Sequence, residues 1–265
     1  MSSKDKGKAL VTGASSGIGA VYADRLARRG YDLILVARDE ARLSELAKRL
    51  ALATGRQVEV VRADLTQKAD LQRVEGLLRS DPRITLLVNN AGFAVAKAFV
   101  DADPDQLERM IALNVTAVTR LARAVAPAFV KRGAGAIVNI ASIVALAPEL
   151  VDGTYSGTKA FVLNLTQAMD HELRDKGLQL QAVLPGATRT EIWQRAGVEV
   201  SQLPQEIVMS TEDMVDAALV GFDRKELITI PSLPNVQDWE TFNAARRALG
   251  PNLSRSKPAT RYTGA

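Results

Sequence analysis

Tyr155 and Lys159 stand four residues apart in Tyr155-Ser156-Gly157-Thr158-Lys159, which puts both on one face of a helix starting near residue 152. A free phenol has a pKa near ~10 and exchanges protons poorly with an alcohol at neutral pH. A neighbouring ammonium favours phenolate, and bringing the phenol to about 7–8 requires about 3–4 kcal/mol of differential stabilisation. Ser142, ending an apolar run, is placed to hold a substrate oxygen. Asn114, on the helical stretch after Pro104, is placed to fix a water that passes protons onward. Tyr-x-x-x-Lys arises often by chance, so these four catalytic candidates acquire a job only from what surrounds them.

The surroundings begin with Thr12-Gly13-Ala14-Ser15-Ser16-Gly17-Ile18-Gly19, between a short apolar run and an amphipathic segment. Strand, glycine turn and helix in that order form a phosphate cradle, with helix-start N–H groups and the helix dipole facing an anion. The spacing G-x-x-x-G-x-G differs from the usual dinucleotide fingerprint G-x-G-x-x-G. Arg38 falls at the end of the next apolar run, where a guanidinium suits the 2′-phosphate of NADP and an acid would suit the ribose of NAD. NADP(H) is therefore expected over NAD(H), and Asp39 reads as a helix N-cap. Asp64-Leu65 and Asn89-Asn90-Ala91-Gly92 end the following two runs. A carboxylate there can accept from an adenine amino group, and the small Ala-Gly pair lets backbone approach a nucleotide. Asp64 equally suits capping the helix near residue 67, and the Asn-Asn-Ala-Gly stretch equally suits a turn.

Elements that position these residues are legible from periodicity. Apolar runs at 8–12, 32–37, 57–62, 84–89, 136–141, 178–184 and 227–230 alternate with helical patterns at 17–29, 40–54, 67–80, 104–131, 152–176 and 211–222. Strands apolar almost throughout, alternating with helices, predict an α/β fold: a doubly wound parallel sheet with helices on both faces. Pro127 predicts a kink or the end of its helix. In such sheets ligands bind beyond the carboxyl ends of the strands, where the glycine turn, Arg38, Asp64, Asn89–Gly92 and Ser142 are found.

Composition sets limits. The chain has 265 residues, 47% hydrophobic, with no cysteine and one histidine, His171, so disulfide frameworks, thiolate metal sites and histidine-rich metal sites are excluded. The net charge of +4 is dispersed among acids along helices, which argues against a nucleic-acid face. The charged first eight residues do not read as a signal peptide, and the longest apolar stretch, 136–151, is broken by Asn139, Ser142, Pro148 and Glu149. A cytoplasmic protein without a membrane segment is expected. One dinucleotide-binding and catalytic domain is expected over residues 1–250. A further helix is predicted at 236–249, followed by a flexible basic tail at 251–265.

Taken together, the ordered set Thr12–Gly19, Asp64, Asn89–Gly92, Asn114, Ser142, Tyr155-x-x-x-Lys159 and Pro185-Gly186 with Thr190 resembles the short-chain dehydrogenase/reductase family, in its short single-domain branch. The resemblance covers residues 8–230. It implies a Rossmann-type sheet of about seven strands, a nicotinamide cofactor, and Asn114, Ser142, Tyr155 and Lys159 acting as a tetrad. Lys159 would also bind the nicotinamide ribose, and Pro185, Gly186, Thr188 and Thr190 would line the carboxamide. The implied cofactor set is Gly13, Ser15, Ser16, Gly17, Ile18, Gly19, Arg38, Asp64, Leu65, Asn90, Ala91, Gly92, Tyr155, Lys159, Pro185, Gly186, Thr188 and Thr190. NADP-using members often carry a basic residue where this chain has Ser16, which leaves Arg38, with Ser15, to read the 2′-phosphate.

The implied reaction moves a hydride between NADP(H) and a carbonyl/alcohol carbon, with Tyr155 as general acid/base. A lid over residues 187–210 carrying Ile192 and Trp193, opposite Phe93 and Val144, suits an apolar substrate held also by Ser142; the same residues equally suit core packing. The alternatives are a non-catalytic NADP-binding sensor or scaffold, and an epimerase or dehydratase using the same Tyr/Lys pair. The family commonly pairs the helices here at 104–131 and 152–176, so a homodimer or homotetramer is expected.

Overall fold

A computed structural model describes residues 6–95, 97–151, 153–192 and 200–263. Seven strands form one parallel sheet in the order β3-β2-β1-β4-β5-β6-β7. They are β1 Lys8–Thr12, β2 Asp32–Ala37, β3 Val58–Arg62, β4 Ile84–Asn89, β5 Gly135–Ile140, β6 Leu178–Val183 and β7 Ile228–Thr229. The helices are α1 Gly17–Arg28, α2 Glu40–Thr54, α3 Lys68–Ser80, α4 Pro104–Ile111, α5 Val118–Arg132, α6 Gly153–Leu173, α7 Thr211–Asp223 and α8 Val236–Ala248. Strand order reverses between β1 and β4, so the loops after these two strands diverge and open a crevice at the carboxyl edge.

Alternation along the strands divides the core. Ala9, Val11, Leu33, Leu35, Leu86 and Val88 pack with α1, α2 and α7 on one face. Leu10, Ile34, Val36, Ile84 and Leu87 pack with α3 and α5 on the other. Both faces of the central strands are buried, which is why their sequences read as unbroken apolar runs rather than as alternating ones.

Three sequence expectations are adjusted. The single helix expected over 104–131 is two α-helices joined by a π-helical turn, Ala112–Ala117, which contains Asn114. Pro127 neither ends nor divides α5, which continues to Arg132 and is closed by left-handed Gly133. The chain also divides into two compact units, the first ending at Pro231 and the second beginning at Ser232, rather than at residue 250 as composition suggested. Helix α8 belongs to the second unit and has no buried residue. Among the described residues no helix is long and apolar enough to cross a membrane.

Candidate active site

The glycine loop is held from below by backbone hydrogen bonds. Gly13 and Ala14 donate to the Val36 carbonyl at 2.8 and 3.3 Å. Gly13 (φ +67°) and Gly17 (φ +53°) occupy the left-handed region that favours glycine. At Gly19 the constraint is space: a Cβ would lie 2.3 Å from the Gly13 carbonyl oxygen and 2.5 Å from Asn90 Nδ2. Ser16 makes no side-chain cap to α1, so the N–H groups of the first helical turn remain available to an anion. Ser15, Ser16 and Ile18 line the same turn and are half-buried.

Thr12 is what joins this loop to β4. Its Oγ1 accepts from Asn90 N and Ala91 N, both at 3.0 Å, and donates to the Val88 carbonyl at 3.3 Å. Asn90 Nδ2 donates back to the Thr12 and Gly13 carbonyls at 2.9 and 3.2 Å. The Asn90 side chain thus braces the loop, and Thr12, 1% exposed, is a site residue the sequence reading passed over. Its signal was a hydroxyl at the last position of an otherwise apolar strand.

At the ends of β2 and β3 the geometry separates capping from open groups. Arg38 is exposed and has no ion pair among the described residues. Asp39 caps α2, accepting from Arg42 N at 3.0 Å. Asp64 closes a local turn, its Oδ1 accepting from Thr66 N at 3.0 Å and Thr66 Oγ1 at 2.7 Å, while Gln67 takes the N-cap position of α3. Leu65 is buried in the core, which leaves only its backbone to face the crevice.

The four catalytic candidates converge beyond β4 and β5. Asn114, 1% exposed, holds the backbone of Phe93 at both ends: Oδ1 accepts from Phe93 N at 3.1 Å and Nδ2 donates to Phe93 O at 2.9 Å. Its second amide hydrogen goes to Thr158 Oγ1 at 3.1 Å, and Thr158 donates to the Tyr155 carbonyl at 2.7 Å. With both amide hydrogens committed, this side chain works as a brace between the β4 loop and the start of α6. Gly92 makes room for the arrangement, since a Cβ there would lie 3.0 Å from Asn114 Oδ1 and 3.5 Å from Lys159 Nζ. Thr158 was also missed; its signal was a small hydroxyl residue inside the Tyr-x-x-x-Lys turn.

Lys159 is buried and donates to the Ile140 carbonyl at 2.9 Å, with Nζ 5.7 Å from the centre of the Tyr155 ring. Burial disfavours its ammonium and lowers its pKa to about 8. Tyr155 is hydrogen-bonded to Ser142, which favours phenolate, but burial outweighs that bond and pushes the phenol up to about 12. The lowering expected from Lys159 is therefore absent in the protein alone. The cation sits over the ring rather than at the oxygen, and desolvation dominates. Ser142 Oγ is also within 3.3 Å of the Pro185 carbonyl, the alternative acceptor for its one hydrogen, which sets the β5 end beside the segment after β6.

That segment is tied down as well. Pro185 is buried, and Thr188, 4% exposed, donates to the Gly186 carbonyl at 3.1 Å and bridges Met209. The Thr190 methyl lies 3.4 Å from the position of a Cβ on Gly17, so the two loops are neighbours. Arg42 Nη1 reaches both oxygens of Glu191 at 2.8 and 3.0 Å, an ion pair that links this segment to α2. Ile192 and Phe93 are half-buried and Val144 is 6% exposed. Trp193 lies outside the described residues.

Comparison with known proteins bears on this arrangement. Residues 7–200 match the family described as short chain dehydrogenase. Among solved structures the chain is similar to a short-chain dehydrogenase from Sphingobium yanoikuyae in complex with NADPH. The two are 54% identical over 97% of this chain and 99% of that one, with a TM-score of 0.94. It is also similar to the bulky-bulky ketone specific alcohol dehydrogenase from Comamonas testosteroni, at 48% identity over 97% and 99% of the two chains and a TM-score of 0.90. An uncharacterized oxidoreductase from Staphylococcus saprophyticus is 36% identical over 185 residues, 69% of this chain and 79% of that protein.

Proposed function

Because the chain belongs to the short-chain dehydrogenase family, we propose that it moves a hydride between NADP(H) and the carbonyl/alcohol carbon of an apolar ketone or alcohol. The observation that carries the reading is the meeting of the hydrogen-bonded Ser142–Tyr155 pair and buried Lys159 at the edge that also holds the uncapped glycine loop. The residues present fit a dinucleotide. Gly19 and Gly13 let the loop fold tightly against Asn90 and Ala91, the first turn of α1 offers N–H groups to a pyrophosphate, and exposed Arg38 suits a 2′-phosphate. When bound, the nicotinamide supplies or accepts the hydride.

In reduction, Tyr155 gives its hydroxyl proton to the carbonyl oxygen as the carbon becomes tetrahedral, and Ser142 donates a hydrogen bond to the same oxygen. A phenol that stays protonated up to about 12 is in the correct state for that step in the free protein. Lys159, charged below about 8, stabilises the phenolate left behind, at a time when the substrate has displaced water and strengthened the field. In oxidation the same proton returns. Pro185, Gly186, Thr188 and Thr190 are assigned to the nicotinamide side and Phe93, Val144 and Ile192 to the substrate side. The NADPH complex of the Sphingobium relative supports the cofactor, and the name of the Comamonas relative supports a ketone with large groups on both sides.

Purified protein is expected to consume NADPH with hydrophobic ketones. Tyr155→Phe is expected to cut kcat by roughly 10³-fold while NADPH binding, followed by fluorescence, is unchanged. Turnover equal to that of the parent protein removes Tyr155 from the chemistry.

A further inference from the structure

The C-terminal unit that begins at Ser232 presents a physical problem. Helix α8 has 13 residues, is capped by a single side-chain bond in which Asn235 Oδ1 accepts from Gln237 N at 3.0 Å, and none of its residues is buried. An isolated helix of that length is marginal in water, because nucleation is costly and few bonds offset it. Val236 is 62% exposed, Phe242 49%, Leu249 56%, Leu253 75% and Tyr262 71%. Val236, Trp239 and Phe242 follow one another at i, i+3 spacing along α8, which Leu249 closes, and the Trp239 and Phe242 rings are 5.8 Å apart. Asn243 and Arg246 bond to each other at 2.8 Å. Such a concentration of bare apolar side chains marks a surface that another molecule covers.

Charge indicates what kind of surface that is. After Glu240 the chain carries Arg246, Arg247, Arg255, Lys257 and Arg261 and no acid. All five are exposed and none has an ion pair among the described residues. Arg261 lies over the Tyr262 ring at 4.8 Å, so cation and aromatic are presented together. A complementary surface exists on the first unit of the same chain, between Phe93 and Asn114. There Phe99 and Val100 are 71% and 88% exposed, and they are followed by exposed Asp101, Asp103, Asp105 and Glu108. None of these four acids has an ion-pair partner among the described residues either. The family match ends at residue 200, yet both solved relatives align over 97% of the chain, too much to omit the C-terminal unit.

We propose that the C-terminal unit docks on a second copy of this chain, setting its basic and aromatic end, Arg255 to Tyr262, against the acidic, apolar rim Phe99–Glu108 of that copy. Apolar side chains on both surfaces leave water together, and the unpaired cations meet the unpaired acids at the margin of the contact. The rim lies between Phe93 and Asn114, so the second copy also walls one side of the substrate mouth. That consequence alone rests on the proposed function; the docking does not.

The test uses the full chain with Tyr262 replaced by p-benzoylphenylalanine and irradiated. A covalent dimer with its adduct mapped between residues 97 and 109 is expected. A product of monomer mass, or an adduct elsewhere, overturns the proposal whether or not the protein reduces any ketone. A second arm controls for misplacement of the probe. In chains whose circular dichroism matches the parent, adding Arg255→Glu, Lys257→Glu and Arg261→Glu is expected to lower dimer yield at least fivefold. Mixing those chains with Asp101→Lys, Asp105→Lys chains is expected to restore it. A yield unaffected by reversal, or lost and not restored, counts against pairing of these two surfaces.

Discussion

The two halves of the crevice are built differently. On the glycine-loop side, position is fixed by main chain: Gly13 and Ala14 hang from Val36, Thr12 holds two N–H groups of the β4 loop, and Asn90 returns two bonds. On the side proposed for the substrate, the segments after β4, β5 and β6 carry bare apolar side chains, with Phe99, Val100, Leu150 and Ile207 between 58% and 88% exposed. One side recognises a group that is the same in every turnover and can be preorganised for it. The other leaves apolar surface whose shape is completed by whatever lies against it. On the proposed function, the cofactor phosphates meet mainly backbone, and the substrate meets replaceable side chains.

The largest effect that would separate the two is a single methyl on the backbone side. In Gly19→Ala the new Cβ meets the Gly13 carbonyl oxygen, and neither that oxygen nor Asn90 can retreat without breaking the bonds that hold the loop. Overpacking of this kind costs about 1–3 kcal/mol of stability. Displacement of the cradle is expected to weaken NADPH binding by on the order of 100-fold, as small misplacements at preorganised sites do. Calorimetric titration of the folded variant checks it. Binding within a factor of two of the parent would mean that the loop yields easily, and the contrast between the halves would be lost.

Legibility in the sequence follows the same division. Glycines, strand-end acids and Tyr-x-x-x-Lys are required by backbone geometry or by chemistry, so their types and spacing carry the information; the seven strands and the position of Asn114, Ser142, Tyr155 and Lys159 follow from it. What escaped were braces. Thr12, Thr158 and Asn139 are ordinary polar residues whose value depends on partners distant in the chain, as where Asn139 joins Asn89 to Thr166 at 2.9 Å on each side. The π-turn at Asn114 was invisible because its composition is that of a helix. The direction of the Tyr155 shift in the protein alone was not legible, since spacing reports which face Lys159 shares but not where its ammonium lies, and burial set the balance. The division at Ser232 escaped because α8 has helical periodicity without a core to face.

Arg38 tests the boundary between the halves, being proposed for the cofactor and itself an exposed side chain. A charge-assisted hydrogen bond contributes about 1.5–3 kcal/mol, and exposure puts Arg38 at the low end. Arg38→Ala is therefore expected to weaken NADPH by about tenfold, at 1.4 kcal/mol per factor of ten, and NADH by less than twofold. Since the 2′-phosphate is the only difference between the two ligands, the ratio isolates the guanidinium. Raising the salt concentration should shrink the ratio, because the pair is open to solvent. A parent protein that binds NADH more tightly than NADPH would reassign Arg38 to the solvated surface.

Phe93 gives the smallest effect and the sharpest contrast, since one residue belongs to both halves. Its N–H and carbonyl are gripped by Asn114 at 3.1 and 2.9 Å, whereas its half-buried ring is assigned to the substrate. Phe93→Ala removes the ring and keeps both backbone bonds. If a bulky ketone covers only part of the ring, the lost burial amounts to about 1 kcal/mol, or about a fivefold rise in KM. NADPH affinity and kcat should stay within twofold, because the brace to Thr158 and Tyr155 is untouched. A rise in KM that grows with the size of the ketone substituents places the ring against the substrate. A fall in kcat at constant KM would instead show that the ring, and not the backbone, sets the position of Asn114.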